Sequence, residues 1–119
     1  MATSTIRNLP SIVAQGTEGT WFYRKYSDGK AECWGWRALN GIAITTQYGS
    51  AYYGTRITVN FPTDLFVSPP TPTISVQSAS GTWAGVETWT KDSYSYYPFS
   101  PKSVTVNAYE TCYAVGRWK

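Results

Sequence analysis

The sequence contains no histidine, and charged residues make up only 14% of its 119 positions. Without histidine the chain lacks the Ser-His-Asp and Cys-His groups that activate a nucleophile. Its two cysteines and seven acidic residues stand in no metal-binding spacing, and its glycines form no phosphate-binding loop. We therefore expect a protein that is not an enzyme and has no metal and no other cofactor.

The carboxylates leave one catalytic alternative open, the cleavage of a glycoside. A glycoside-cleaving pair would have to draw on residues such as Glu87 or Asp92, and Glu87 stands two residues before Trp89. A solvated strand residue is the simpler interpretation of Glu87. Loss of an activity on replacement of either acid would be needed to support an enzyme.

Long apolar runs and clustered charge are also absent. No run approaches the ~20 residues that span a bilayer, and residues 1–15 lack the basic start and apolar core of a signal peptide. The ten basic residues give a net charge of +3 and are scattered along the sequence, so no basic stripe is present to follow a phosphate backbone. We expect synthesis in the cytoplasm, no membrane insertion and no nucleic-acid partner.

What the sequence does contain is aromatic residues, at 17% of positions, and the clearest pattern among them is a hairpin. Residues 20–37 read TWFYRKYSDGKAECWGWR, with strand-forming residues on both sides of Asp28-Gly29. Asp-Gly is typical of a two-residue primed turn, whose central residues need positive φ. With that turn, the predicted cross-strand pairs are Lys25 with Glu32, Tyr23 with Trp34, and Trp21 with Trp36.

Short strand-like runs recur along the rest of the chain, separated by Gly, Pro, Ser and Asp. Alternation is clearest around Ile57, Val59 and Phe61, and no window has a helical period. This spacing predicts an all-β fold, an antiparallel β-sandwich of roughly 8–9 short strands. The predicted strands are 11–15, 20–27, 30–37, 41–48, 55–61, 73–78, 82–90, 103–109 and 111–118.

The two cysteines, Cys33 and Cys112, each lie inside a strand-like run. We interpret them as buried thiols that act as small apolar fillers. A disulfide between them requires neighbouring strands, and the sequence leaves that alternative open.

Three segments combine exposed-type aromatics with Ser and Gly: residues 48–53, Trp83 with Trp89, and residues 94–99. Tyrosine offers a large contact area with few torsions to freeze, and serine adapts its hydrogen bonds, so this composition is typical of recognition surfaces. Packing inside the sandwich or at a subunit interface is the alternative for each residue. We interpret residues 94–99 as an exposed loop bounded by Pro98 and Pro101. The candidate ligand-binding residues are Tyr48, Tyr52, Tyr53, Trp83, Trp89, Tyr94, Tyr96 and Tyr97.

The hairpin and the end of the chain also carry a resemblance. The run TWFYRKYSDGKAECWGW and the terminal YAVGRWK, with Phe61-Pro62 and Phe66 between them, resemble the C-terminal receptor-binding or head domain of phage and prophage tail-fibre proteins. The resemblance covers roughly residues 12–119. It implies attachment of a virion tail to a host cell-surface glycan, a homotrimer, and contacts with other tail proteins through the N-terminus.

In this interpretation residues 1–11 are a linker or tether to a stalk, and residues 12–119 form the β-sandwich head. Two other functions stay open. One is a structural tail or baseplate domain without ligand binding, and the other is a carbohydrate-binding module of a secreted enzyme.

Overall fold

The computed structural model describes residues 9–119, which form nine β-strands. No helix in this part of the chain is long and apolar enough to cross a membrane. The strands are β1 (Ile12–Glu18), β2 (Trp21–Tyr26), β3 (Lys30–Tyr48), β4 (Ala51–Gly54), β5 (Ile57–Asn60), β6 (Thr71–Gln77), β7 (Trp83–Trp89), β8 (Ser93–Ser100) and β9 (Val104–Arg117).

All of these strands are antiparallel and are joined by hydrogen bonds into one sheet. The main path runs β1-β2-β3-β4-β8-β5, while β9 pairs with both β3 and β6, and β7 pairs with β8. The molecule is elongated, with extents of 60 × 27 × 25 Å. The prediction of an all-β antiparallel fold with eight or nine strands is confirmed.

The sheet folds over itself, and the core lies between its two layers. Trp21 of β2 packs its indole against Phe61 and Tyr94, with ring centroids 6.0 and 6.4 Å away, although β2 and β8 are not neighbours in the sheet. The Trp21 indole N–H also donates to the carbonyl of Asn60 at 2.9 Å. Val59 and Phe61 are buried, as their alternation predicts.

A buried polar cluster joins the same two layers. Glu110 of β9 is 2% exposed and accepts hydrogen bonds from the Tyr94 hydroxyl, from the Tyr96 hydroxyl at 2.8 Å, and from Arg37 Nε at 2.8 Å. Burial, together with the Glu110 charge, raises the pKa of both tyrosines. Burial acts to lower the pKa of Arg37, but its hydrogen bond and ion pair with Glu110 raise it. Glu110 therefore ties three side chains together by hydrogen bonds inside the fold.

Two strands are longer than predicted, because each joins two of the predicted runs. The runs 30–37 and 41–48 are one strand, β3, with a register shift between Leu39 and Ile42 against β9. The runs 103–109 and 111–118 likewise merge into β9. Asn40 and Gly41 form this bulge, which bends a strand without ending it.

The hairpin of β2 and β3 exists, but its predicted register is wrong by one residue. The observed pairs are Phe22 with Trp34 and Arg24 with Glu32, because the loop has three residues. Gly29, at φ 97°, donates its N–H to the Tyr26 carbonyl at 3.0 Å, as in a type I turn closed by a bulge. A one-residue slip moves every side chain to the other face. The predicted pairs Lys25 with Glu32, Tyr23 with Trp34, and Trp21 with Trp36 are therefore absent.

Glu32 instead meets groups on its own face of the sheet. Its carboxylate accepts hydrogen bonds from the hydroxyls of Tyr26 at 2.8 Å and Tyr113 at 2.6 Å, and Lys30 Nζ lies 3.7 Å away. Burial acts to raise the pKa of Glu32, but the two hydroxyl hydrogen bonds and the nearby cations outweigh it and lower that pKa. In return, the hydrogen bond to Glu32 raises the pKa of Tyr113 to about 12.

The last residues of the chain close over the hairpin turn. The Trp118 N–H donates to the Gly29 carbonyl at 2.9 Å, and its indole N–H donates to the Tyr26 carbonyl at 2.7 Å. Arg117 Nη2 donates to the Asp28 carbonyl at 2.8 Å. The two sequence runs that carry the resemblance, one in the hairpin and one at residues 113–119, therefore contact each other.

Cys33 and Cys112 are buried on the neighbouring strands β3 and β9 and are not bonded to each other. Burial raises the pKa of both thiols, to about 12 for Cys112. They fill the core as small apolar groups, which confirms that interpretation.

Of the predicted linker, residues 1–8 lie outside the described part of the chain. Ser11 is tied to the hairpin turn, because the Ser27 N–H donates to its carbonyl at 2.8 Å and its own N–H donates to Ser27 Oγ at 3.0 Å. The first strand then begins at Ile12.

Candidate ligand-binding surface

Five aromatic side chains from four strands meet on the surface of the β4–β8–β7 part of the sheet. Phe99 lies at the centre, with ring centroids 5.7 Å from Trp83, 6.0 Å from Tyr53 and 6.1 Å from Tyr48. Tyr97 adds its ring 5.6 Å from that of Tyr53. We call this set, Tyr48, Tyr53, Trp83, Tyr97 and Phe99, the aromatic platform.

Strand pairing places these rings side by side. Phe99 of β8 stands opposite Tyr53 of β4 on one side and Trp83 of β7 on the other. Residues directly opposite in neighbouring strands share a face of the sheet and touch. The Trp83 and Phe99 rings are nearly parallel, at 15°.

Gly85 makes room for the Phe99 ring. A Cβ atom at position 85 would stand 2.5 Å from Phe99 Cε1, which is closer than real Cβ atoms approach. The lack of a side chain on β7 therefore lets Phe99 lie flat beside Trp83. Four of the aromatics, Tyr48, Tyr53, Tyr97 and Phe99, line an open groove of 330 Å³.

A polar edge borders the platform. Arg56 Nε and a Glu87 carboxylate oxygen are 2.7 Å apart, and the Tyr97 hydroxyl donates to the other Glu87 oxygen at 3.2 Å. Arg56 Nη2 also donates to Ser95 Oγ at 3.3 Å. The charge of Glu87 raises the pKa of Tyr97. Stacking surface and hydrogen-bonding groups therefore stand together, with the opposite charges of Glu87 and Arg56 already paired.

The structure brings four of the eight predicted site residues together: Tyr48, Tyr53, Trp83 and Tyr97. Trp89 is exposed at the other end of β7 from Trp83. Tyr52 precedes Tyr53 on β4, so strand alternation directs it to the opposite face.

The prediction of an exposed loop at residues 94–99 is wrong, because these residues form most of β8. Tyr94 and Tyr96 are 0% exposed, and their hydroxyls are satisfied by Glu110. Neither can contact a ligand at the surface. Pro98 does not end the strand, since it pairs with Ala84 of β7.

Sequence reasoning did not select Phe99, Gly85 or Arg56 for the site. Phe99 was within the segment considered, and alternation from Tyr97 would have placed it on the same face. Gly85 inside a run of strand formers was the signal of a close approach. Nothing local to Arg56 indicates its partner Glu87.

The fold of the chain, an antiparallel sheet folded over itself, is similar to that of solved pyocin tail fibres. An N-truncated R1-type pyocin tail fibre superimposes with a TM-score of 0.67 at 12% identity, over 98% of this chain and 96% of that one. A C-terminal part of a P. aeruginosa R1 pyocin fibre gives 0.63 at 14% identity, over 87% of this chain and 28% of that one. An N-truncated R2-type pyocin tail fibre gives a TM-score of 0.58 at 16% identity, over 98% of this chain and 41% of that one.

The chain thus spans less than half the length of the second and third fibres. No family model and no curated protein sequence matches it. The resemblance to a tail-fibre domain, predicted from the hairpin and the terminal motif, is confirmed at the level of the fold.

Proposed function

We propose that this chain is a phage tail-fibre-type receptor-binding domain. It attaches a virion tail to a host cell-surface glycan and catalyses no reaction. The fold it shares with pyocin tail fibres supports the tail-fibre part of the proposal. The aromatic platform is the single observation that supports a glycan as the ligand.

A glycan suits the platform for two reasons. The flat rings of Trp83, Phe99 and Tyr53 match the apolar C–H faces of sugar rings, while Tyr97, Glu87 and Arg56 stand at the edge to bond hydroxyl groups. The groove is open and shallow, so a saccharide chain can lie along it and a deep pocket is not required.

Replacing Trp83 with Ala is expected to weaken binding of the tightest-binding oligosaccharide at least about tenfold, since a central aromatic contact contributes roughly 1–2 kcal/mol or more. The matched control is Trp89→Ala. Trp89 lies on the same strand and is exposed to the same degree, 45% against 43% for Trp83, but it is not part of the platform. Screening on an array of bacterial-surface oligosaccharides, followed by titration calorimetry, measures the affinities.

Equal weakening by Trp83→Ala and Trp89→Ala would contradict the platform as the site. An array on which the wild-type chain binds no saccharide would contradict the glycan and leave the tail-fibre assignment to be tested by particle assembly.

We further propose that the domain is a homotrimer that joins other tail proteins through its N-terminus. Three copies would present three platforms on one fibre tip, and several weak sites then act as one strong one because each later contact is intramolecular. Light scattering down to low micromolar concentrations is expected to give a mass near three times the 13.3 kDa chain. A strict monomer would contradict the trimer and favour a carbohydrate-binding module.

A second candidate is a structural tail domain that contacts other virion proteins without a ligand. It is favoured by exposed aromatics on the outer face of β3 and β9, where Trp36 and Tyr109 pack at 5.6 Å. Retained assembly with no saccharide binding would support this candidate.

A further inference from the structure

A second aromatic groove lies on the first three strands, far from the platform. It has a volume of 280 Å³ and is lined by Gln15–Thr17 of β1, Phe22–Arg24 of β2, and Trp34 of β3. We call it the β1–β2 groove. Trp34 and Tyr48 of the platform share β3 and are separated by up to roughly 45 Å along it, at ~3.3 Å per residue. One small ligand cannot reach both places.

Two aromatic rings form the apolar part of the β1–β2 groove. Phe22 and Trp34 stand opposite each other in the hairpin, with ring centroids 6.1 Å apart and planes within 14°. Half of the Phe22 side chain is exposed. The exposed part of the two rings offers an apolar surface that the C–H face of a sugar ring can contact.

Arg24 adds a positive charge over that floor. Its guanidinium carbon lies 5.3 Å from the Trp34 ring centroid, and its Nε donates to Gln15 Oε1 at 3.2 Å. These contacts engage Nε and one face of the guanidinium. Within residues 9–119 its two terminal nitrogens have no hydrogen-bond acceptor, so they can donate in parallel to a carboxylate.

No carboxylate of residues 9–119 forms an ion pair with Arg24. The acid opposite it in the hairpin is Glu32, which is engaged by the hydroxyls of Tyr26 and Tyr113 and by Lys30. Arg56 at the platform differs, because its charge is already paired with Glu87 at 2.7 Å. The two grooves therefore differ in charge: Arg56 is held in a close ion pair, whereas within residues 9–119 Arg24 feels the charge of Glu32 but has no carboxylate within ion-pair distance.

We propose that the β1–β2 groove is a second binding site, selective for an acidic saccharide of the uronic-acid class. The sugar ring packs against the exposed part of Phe22 and Trp34, and its carboxylate accepts two hydrogen bonds from the terminal nitrogens of Arg24. This site adds to the platform and does not depend on it.

The test uses the full chain, tetragalacturonic acid as probe, and the methyl ester of the same tetrasaccharide as its uncharged match. Titration calorimetry at low salt is expected to show binding of the acid and at least about tenfold weaker binding of the ester, since the charge-assisted bidentate contact is lost. Arg24→Gln is expected to weaken binding of the acid by the same factor. The affinity of Arg24→Lys for the acid should lie between those of wild type and Arg24→Gln, because lysine keeps the charge but cannot donate two parallel hydrogen bonds.

Two variants serve as controls. Lys102→Gln removes an exposed cation elsewhere and should leave the affinity unchanged. Trp89→Ala removes an exposed aromatic outside both grooves and should also leave it unchanged. The acid-to-ester ratio and the Arg24 variants report on this site alone, so failure of the platform and failure of this site are separable. Thermal unfolding of Arg24→Gln checks that the variant is folded.

Equal affinity for the acid and its ester, or for wild type and Arg24→Gln, would overturn the proposal. So would the absence of binding at millimolar probe, including the case in which a second copy of the chain covers the groove.

Discussion

Replacing Glu110 with Ala is expected to lower the free energy of unfolding by about 3–5 kcal/mol, because it removes the acceptor of two fully buried hydroxyls and the opposite charge of the half-buried Arg37. Three donors lose their acceptor at once: Arg37 Nε and the hydroxyls of Tyr94 and Tyr96. Each unsatisfied buried hydroxyl costs about 1–3 kcal/mol, so the total loss is expected at the upper end of the range of about 3–5 kcal/mol. Chemical denaturation at one fixed protein concentration measures it.

The matched control for Glu110→Ala is Asp92→Ala. Asp92 also pairs with a cation, Lys91 at 3.2 Å, but both side chains are exposed. An exposed pair contributes about 0–1 kcal/mol, so Asp92→Ala should change stability little. A Glu110→Ala loss no larger than that of Asp92→Ala would contradict the cluster as a stabilising contact between the layers.

Replacing Trp21 with Ala is expected to cost about 3–5 kcal/mol of unfolding free energy, the usual range for a buried large aromatic. Its indole contacts Phe61 and Tyr94 of the facing layer and donates a hydrogen bond to Asn60. Trp21→Phe keeps most of the buried ring and removes the hydrogen bond, so a smaller loss is expected. Denaturant titration followed by circular dichroism compares the two variants.

Trp89→Ala is the comparison for Trp21→Ala, since it removes the same side chain from an exposed strand position. We expect Trp89→Ala to change the unfolding free energy by less than about 1 kcal/mol. If both replacements cost the same, Trp21 would not be the joint between the layers that its contacts indicate.

The sequence was sufficient for the strand content, because strand signals depend on local alternation and on residue type. It was insufficient for β8, where Tyr94 and Tyr96 look like surface residues. Both tyrosine hydroxyls donate hydrogen bonds to Glu110, which lies on another strand, 14 and 16 residues further along the chain. A tyrosine in a core is indistinguishable by sequence from one at a surface until its hydroxyl partner is known.

The hairpin register failed for a similar reason. Asp28-Gly29 fits a two-residue loop and a three-residue loop equally well, and the choice depends on contacts made by distant residues. Here the Gly29 carbonyl accepts from Trp118, and the Asp28 carbonyl accepts from Arg117. Four of the five platform residues were still predictable, since Tyr48, Tyr53, Trp83 and Tyr97 have the composition of a recognition surface.

The pairing of β3 with β9 has a consequence for how the chain acquires its fold. Lys30 pairs with Arg117, and β9 inserts between β3 and β6, so the central contacts join segments far apart in sequence. Folds dominated by such high-contact-order pairings form slowly. While β9 is still on the ribosome, β3 and β6 each present an open edge that can pair with another chain. We therefore expect synthesis of this domain to pass through a stage prone to aggregation, which ends when β9 pairs with β3 and β6.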